Sequence, residues 1–182
     1  MADSPPGPET IEVIFSSERI AARIDALARS IAALGLDRLL VVAVLKGSFV
    51  FAADLIRALH RAGLSPEIDF ISLSSYGEAT SSSGRVGIVR DLETDVAGRN
   101  VLIVDDILES GRTLAYARDR IIERGAARVL TCVLLDKPVA RARSIAADFC
   151  AFECPNVFVV GYGMDLAHRY RELPFVGRLM RE

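Results

Sequence analysis

Continuous apolar runs recur along the chain, each of strand length and each followed by polar residues. The clearest are residues 39–45, 101–104 and 129–135. Runs of this kind are typical of strands that are buried on both faces of a parallel sheet. Less continuous apolar segments predict further strands at residues 68–73, 86–89, 148–153 and 157–162.

Amphipathic segments lie between these runs and predict helices. One begins at Ser16 or Ser17, carries an apolar stripe at helical spacing to about Leu34, and stops at Gly35. Residues 48–62 and 113–124 have the same character, and each is followed by a glycine. Strands that alternate with helices predict an α/β fold with a mainly parallel central sheet flanked by helices and right-handed crossovers.

Two segments lack this pattern. Residues 1–10 are polar and rich in proline, and we expect a disordered tail there, followed by a single domain over residues 11–182. Residues 74–84 are small, polar and flanked by glycine, which predicts a mobile loop inside the domain. Long internal loops of compact domains are commonly functional.

Composition narrows the classes of function. A formal net charge of -2 argues against nucleic-acid binding. The apolar runs are too short to cross a membrane, and the first residues lack the pattern of a signal peptide. The three cysteines show no CxxC spacing, so we expect reduced thiols in a cytoplasmic protein.

The segment from residue 101 to residue 113 carries the most specific chemistry. A buried strand leads into Asp105 and Asp106, and a short polar loop then opens a helix near Thr113. Ligands of open parallel sheets bind beyond the carboxyl ends of the strands. The N–H groups of residues 110–113 suit a phosphate, and the two carboxylates suit the hydroxyl groups of a sugar. Together they predict a site for a ribose 5'-phosphate.

This segment resembles the signature of the type I phosphoribosyltransferases, and more narrowly that of the hypoxanthine phosphoribosyltransferases. The resemblance spans roughly residues 11–180 and includes further motifs at residues 45–47, 75–76, 135–138, 157–165 and 171. It implies the fold of that family, in which terminal segments form a small hood over the sheet. It also implies purine salvage, in which a 5-phosphoribosyl group moves from phosphoribosyl pyrophosphate (PRPP) to hypoxanthine or guanine.

The resemblance assigns the PRPP contacts residue by residue. The ribose 5-phosphate would bind to Asp105, Asp106, Glu109, Ser110, Gly111, Arg112 and Thr113. The pyrophosphate would bind to Leu45, Lys46, Gly47 and Arg171, with a cis peptide between Leu45 and Lys46. Mg²⁺ is the implied cofactor, held by Asp165 together with Asp105 and Asp106.

For the purine, the resemblance implies contacts with Lys137, Phe158, Val159 and Asp165. An ammonium only donates, so Lys137 would donate a hydrogen bond to a 6-oxo group and would oppose a 6-amino group. Glu109 is the candidate base that removes the purine proton, and Ser75 and Tyr76 would belong to a loop that closes over the site. A homodimer or homotetramer is expected by resemblance alone.

The chain departs from the family pattern at three places. It has Asp105-Asp106 where the family usually has Glu-Asp, Glu109 where the family usually has Asp, and Val157 where many relatives have Lys. The first two changes conserve charge but move a carboxylate by one methylene. The third leaves the preference among hypoxanthine, guanine and xanthine open.

Other functions fit parts of the sequence. The strand and acid pair at residues 101–106 also resemble the opening of a two-component receiver domain, but they lie too late in the chain for one. A PRPP-binding regulator that binds RNA would call for a basic face. A transferase for adenine or orotate is disfavoured by Lys137 and Phe158.

Overall fold

The computed structural model describes residues 10–76 and 85–180, and the elements named below lie within them. In chain order these are β1 (Thr10–Phe15), α1 (Ser17–Ala32), β2 (Leu39–Leu45), α2 (Phe49–Arg61), β3 (Glu67–Tyr76), β4 (Arg85–Arg90), β5 (Asn100–Leu108), α3 (Arg112–Glu123), β6 (Arg128–Asp136), β7 (Phe149–Glu153), β8 (Val159–Val160) and β9 (Val176–Met180).

The central sheet has six strands in the order β4-β3-β2-β5-β6-β7. All neighbours are parallel except β3 and β4, which form an antiparallel pair at one edge. The predicted α/β fold with a mainly parallel sheet is confirmed. Parallel order places the carboxyl ends of β2, β5 and β6 side by side, where a ligand site is expected.

Both faces of this sheet are covered, which explains the continuous apolar runs. Val41 and Ala43 of β2 face a core shared with α1 and α2. Leu40 and Val42, the alternate residues, face a second core shared with α3. A strand whose successive side chains enter two different cores must be apolar at every position.

A second, antiparallel sheet is built from the two ends of the described chain. Its order is β1-β9-β8, with Thr10 opposite Met180 and Val160 opposite Gly177. This sheet is the expected hood of terminal segments. Thr10 belongs to β1 rather than to the predicted tail, and residues 1–9 lie outside the described part of the chain.

Several predicted boundaries shift. Residues 74–76 extend β3 because they pair with β4, and residues 77–84 of the predicted loop lie outside the described residues. Strand β5 continues past the acid pair, because Asp105 and Ile107 pair with β6. Of the predicted strand at 157–162, only Val159–Val160 is a strand.

Two expectations from composition can be compared with the structure. The three cysteines all lie in the described part of the chain and are free thiols. Burial raises the pKa of the Cys132 thiol above its usual range, so this thiol stays protonated. Within residues 10–76 and 85–180, none of the helices has the length and apolarity needed to span a membrane.

Candidate active site

A cavity of about 790 Å³ opens at the carboxyl ends of β2, β5 and β6. Eleven of the residues singled out from the sequence line it. They are Leu45, Lys46, Gly47, Asp106, Glu109, Lys137, Val157, Phe158, Val159, Asp165 and Arg171. Residues from five separate stretches of sequence therefore meet in one place, as the strand order requires.

The acid pair of β5 divides into one buried and one cavity-facing carboxyl group. Asp105 is 5% exposed, and its Oδ1 accepts the N–H of Asp106 at 3.0 Å. Burial, with the Asp106 charge beside it, raises the pKa of Asp105 well above the usual range. Burial also raises the pKa of Asp106, against the attraction of Arg171. Asp106 lines the cavity and Asp105 lies beneath it.

The turn after β2 packs closely against Asp106. The Leu45–Lys46 peptide is cis, as the resemblance implied. A β-carbon at Gly47 would overlap the carboxylate of Asp106, so only glycine lets the backbone at residue 47 lie this close to that side chain. On the other side, a β-carbon at Gly163 would overlap the carbonyl of Gly47. The backbone at residue 47 is thus enclosed by β5 and by the segment before Asp165.

Asp165 and Arg171 form an ion pair on the same wall, with Nη2 and Oδ1 2.7 Å apart. Nη1 of Arg171 also donates to the Gly163 carbonyl at 2.6 Å, and the Asp165 carboxylate accepts the N–H of His168 at 2.7 Å. The pair is about one-quarter exposed, so it faces the cavity while its backbone anchors it. A guanidinium in this position can bind anionic oxygens.

An ammonium and an aromatic ring also line this cavity. Lys137 is 6% exposed, and its Nζ lies 3.7 Å from Oε2 of Glu109. Phe158 is 51% exposed, which is unusual for a ring that could be buried in the core. Val159 is buried in β8 opposite Arg178. A planar ring with a carbonyl group could stack on Phe158 and reach Lys137.

A smaller cavity of about 170 Å³ adjoins the first and is formed by residues 107–114. Ser110, Gly111 and Thr113 line it, while Arg112 begins α3 and is exposed. Gly111 has a φ of 75°, and a β-carbon there would lie 2.7 Å from the Arg143 carbonyl. The loop therefore needs glycine for both its conformation and its close contact. It can accept a phosphate at the start of a helix.

The remaining predicted residues are Ser75 and Tyr76, which are the last two residues of β3, before the undescribed residues 77–84. Sequence reasoning missed other parts of the site. Ile107 lines both cavities, and Met164 and Asn156 line the larger one. Ile107 lies between Asp106 and Glu109 in the motif, and this position could have indicated that it lines the site. The sequence around Met164 and Asn156 gives no comparable signal.

Comparison with known proteins agrees with this geometry. Residues 11–166 match the phosphoribosyl transferase domain. The chain is 41% identical over 173 residues to a hypoxanthine-guanine phosphoribosyltransferase of Dictyostelium discoideum, which covers 94% of this chain and 96% of that protein. It is 44% identical over 169 residues to the Bacillus subtilis protein of the same name, at 92% coverage of each.

Solved structures agree as well. The fold matches a hypoxanthine phosphoribosyl transferase of Trypanosoma cruzi with a TM-score of 0.89 and 39% identity, over 97% of this chain and 95% of that one. These matches span the hood, the sheet and the cavity together, and they leave no room for a receiver domain.

Proposed function

Because the chain belongs to the phosphoribosyltransferase family, we propose that it transfers the 5-phosphoribosyl group of PRPP to a 6-oxopurine, hypoxanthine or guanine, in purine salvage. The products would be the purine nucleotide, IMP or GMP, and pyrophosphate. Its relatives bear the names of hypoxanthine and hypoxanthine-guanine phosphoribosyltransferases. The chemistry of the cavity supports the same substrates.

The observation that carries this proposal is that the buried ammonium of Lys137 and the exposed ring of Phe158 line the same cavity. A buried donor without an acceptor costs about 1–3 kcal/mol, so the site favours a base that offers an oxygen at position 6. Adenine offers a second donor there and would leave both groups unsatisfied. Phe158 supplies the face on which the purine would stack.

PRPP would bind across the two cavities. The 5'-phosphate suits the loop of Ser110, Gly111 and Thr113, and the ribose hydroxyls suit the carboxylate of Asp106. Asp105 would support Asp106 from beneath, through the hydrogen bond to its N–H. Arg112 is exposed at the border of the loop and would contact the phosphate only from outside.

The pyrophosphate would lie between Lys46 and Arg171, which face the same cavity from two different segments. Their positive charges would stabilise the negative charge that develops as pyrophosphate leaves the anomeric carbon. Glu109 would take the proton of the attacking purine nitrogen, which it can approach because its carboxylate is half exposed. The loop of residues 74–84, with Ser75 and Tyr76, would close over the site and exclude water.

The donor set fits Mg²⁺ bound together with substrate. No group of three or more metal-ligating side chains occurs in the described ranges 10–76 and 85–180. Mg²⁺, however, commonly binds one or two carboxylates and completes its shell with substrate oxygens and water. Asp165, and Asp106 with Asp105 behind it, would hold it. When bound, it would neutralise charge on the pyrophosphate.

Further properties are proposed on similarity. We propose a homo-oligomer, a dimer or tetramer, since the T. cruzi structure was determined to study oligomeric state together with activity. We also propose a cytoplasmic location, and no nucleic-acid or membrane partner. Light scattering of the purified protein would measure the mass of the assembly; a monomer at working concentration would contradict the oligomer.

The test is a direct assay. The purified protein is incubated with PRPP and Mg²⁺, and hypoxanthine, guanine, xanthine, adenine and orotate are offered separately. We expect nucleotide and pyrophosphate from hypoxanthine or guanine and little from adenine. The ranking of the three oxopurines would show what Val157 contributes. Binding of PRPP without conversion of any base would favour a regulator, and no binding would overturn the site.

A further inference from the structure

The segment that follows Lys137 passes behind the phosphate loop. Residues 137–145, called the bracket below, contain no helix or strand. The N–H of Lys137 donates to the Leu108 carbonyl at 3.0 Å. Further along, the N–H groups of Ala142 and Arg143 both donate to the Ser110 carbonyl, at 3.0 and 3.2 Å. The bracket thus contacts the loop on both sides of Glu109.

These two bonds set the orientation of one peptide. A trans peptide is planar, and its C=O and N–H point in opposite directions. Because the carbonyl of Ser110 points to the bracket, the N–H of Gly111 points away from it, and both residues line the small cavity. That N–H is one of the donors a phosphate would use.

One side chain holds the bracket in shape. Nη1 of Arg141 donates to the Ile145 carbonyl at 2.6 Å, and Nη2 pairs with the carboxylate of Asp136 at the end of β6. Both side chains are about one-quarter exposed or less, so water competes weakly for the pair. Ile145 is itself buried against the Gly111 turn. Arg141 contacts none of the residues that line either cavity, according to the hydrogen bonds and ion pairs of the described residues.

We propose that Arg141 is a positioning residue for the 5'-phosphate: through the bracket it fixes the Ser110–Gly111 peptide, so that the Gly111 N–H faces the phosphate. This inference rests on the proposed function and adds to it a residue that acts from outside the site. It also gives Asp136, adjacent to the base-binding Lys137, a separate task. The base contact and the phosphate contact are then held by one continuous segment.

The experiment compares a ligand that carries the phosphate with one that lacks it. Binding of IMP and of inosine is measured by protein-detected NMR titration for wild type and Arg141→Gln. We expect Arg141→Gln to lower the affinity for IMP about tenfold, because a displaced Gly111 N–H no longer donates to the phosphate. The affinity for inosine should change less than about twofold. The KM for PRPP should rise by a similar factor while kcat changes little.

Arg99→Gln is the matched control. Arg99 is also a largely buried arginine that reaches a main-chain carbonyl, that of Arg38, and a carboxylate, that of Glu67, but at the opposite edge of the sheet. The substitution Arg99→Gln should lower Tm without changing the affinity for IMP or for inosine. Arg141→Lys, which retains a single donor group, should give an intermediate loss for IMP and covers the case in which Arg141→Gln fails to fold.

The outcomes separate the two proposals. If wild type prefers IMP to inosine and Arg141→Gln keeps that preference, the positioning role is wrong and the proposed function stands. Equal weakening of both ligands would also overturn the role, since it would indicate general loss of structure. If wild type binds neither ligand, the proposed function itself fails.

Discussion

The parallel strands all begin on one side of the sheet, its amino edge, and all end on the other side, its carboxyl edge. Both of these edges carry buried charged groups, but the groups differ in their partners. At the amino edge, Asp69 accepts the N–H groups of Phe70, Glu93 and Thr94, and Arg99 pairs with Glu67. Desolvation acts to raise the pKa of Asp69, but the N–H donors of Thr94, Phe70 and Glu93 outweigh it and the pKa is lowered.

At the carboxyl edge the two acids of β5 have fewer donors: Asp105 accepts the N–H of Asp106, and Asp106 accepts the N–H of Ile107. Burial and the neighbouring Asp106 raise the pKa of Asp105, and Lys137 reaches Glu109 only at 3.7 Å. Buried charges that are satisfied within the protein stabilise the fold, whereas unsatisfied ones are commonly kept for a ligand. The same sheet therefore surrounds its buried acid with N–H donors at one edge and leaves its acids with fewer donors at the other, the edge at which we propose that the substrate binds.

The largest effect is expected at Glu109. Glu109→Gln removes the proposed base and should lower kcat about 10³-fold, within the range that general base catalysis contributes. Glu67→Gln, at the exposed side of the amino-edge ion pair, should leave kcat unchanged. Steady-state assays with hypoxanthine measure both. Retention of wild-type kcat by Glu109→Gln would show that another group takes the proton.

Gly47→Ala should lower kcat/KM about 100-fold, because the added carbon overlaps the Asp106 carboxylate and displaces the pyrophosphate turn. Gly35→Ala is the amino-edge counterpart. It has space for a β-carbon but a φ of 62°, so it should cost about 1 kcal/mol of stability without loss of activity. Kinetics and thermal unfolding of both variants decide this, and equal activity of the two would contradict the close fit.

Lys137→Met should lower kcat/KM for hypoxanthine about 30-fold and reduce the discrimination against adenine, because the donor to the 6-oxo group is lost. Arg99→Met should instead destabilise the fold and leave base preference intact, since its partners are Glu67 and the Arg38 carbonyl. Competition between the two bases gives the ratio directly. An unchanged ratio for Lys137→Met would remove Lys137 from base selection.

The smallest expected effects are changes in the free energy of unfolding at Asp69 and Asp105, and they have opposite signs. The lowered pKa of Asp69 means that its charge stabilises the fold above the unfolded pKa, and that this is lost as pH falls. The raised pKa of Asp105 means that its charge destabilises the fold as pH rises through the folded pKa. At pH 7, Asp69→Asn should cost about 1–2 kcal/mol, and Asp105→Asn should add stability of similar size.

Thermal unfolding from pH 3 to pH 8 checks both aspartates. The difference between Asp105→Asn and wild type should grow as pH rises above the unfolded pKa of about 4, and the difference for Asp69→Asn should stay constant above that pKa and shrink only below it. Two variants that shift Tm in the same direction at pH 7 would break the contrast between the edges.

The sheet and the phosphate loop could be predicted because their signals are local. The runs at β2, β5 and β6 are apolar at nearly every position, and residues 105–113 hold their acids, hydroxyls and glycine within one short segment. The cis peptide at Leu45–Lys46 came from resemblance, since no local pattern indicates it.

The hood strands and the supporting contacts could not be predicted in the same way. β1 has only one buried residue, Phe15, and it pairs with β9 from the far end of the chain, so neither strand carries an apolar run. Arg141 and Asp136 resemble surface residues in the sequence, and only the path of the bracket joins them. Contacts that depend on long-range pairing leave no periodicity to read.

The pairing of β8 with β9, and of β9 with β1, sets the order in which this enzyme can mature on the ribosome. Translation delivers β2 to β7 and the phosphate loop first, at about 5–20 residues per second. The strand that bears Val159 gains its partner only when residues 176–180 have been synthesised, and β1 waits for the same event. We therefore expect a nascent chain to form the small cavity at residues 110–113 before residues 176–180 fix the strand that bears Val159.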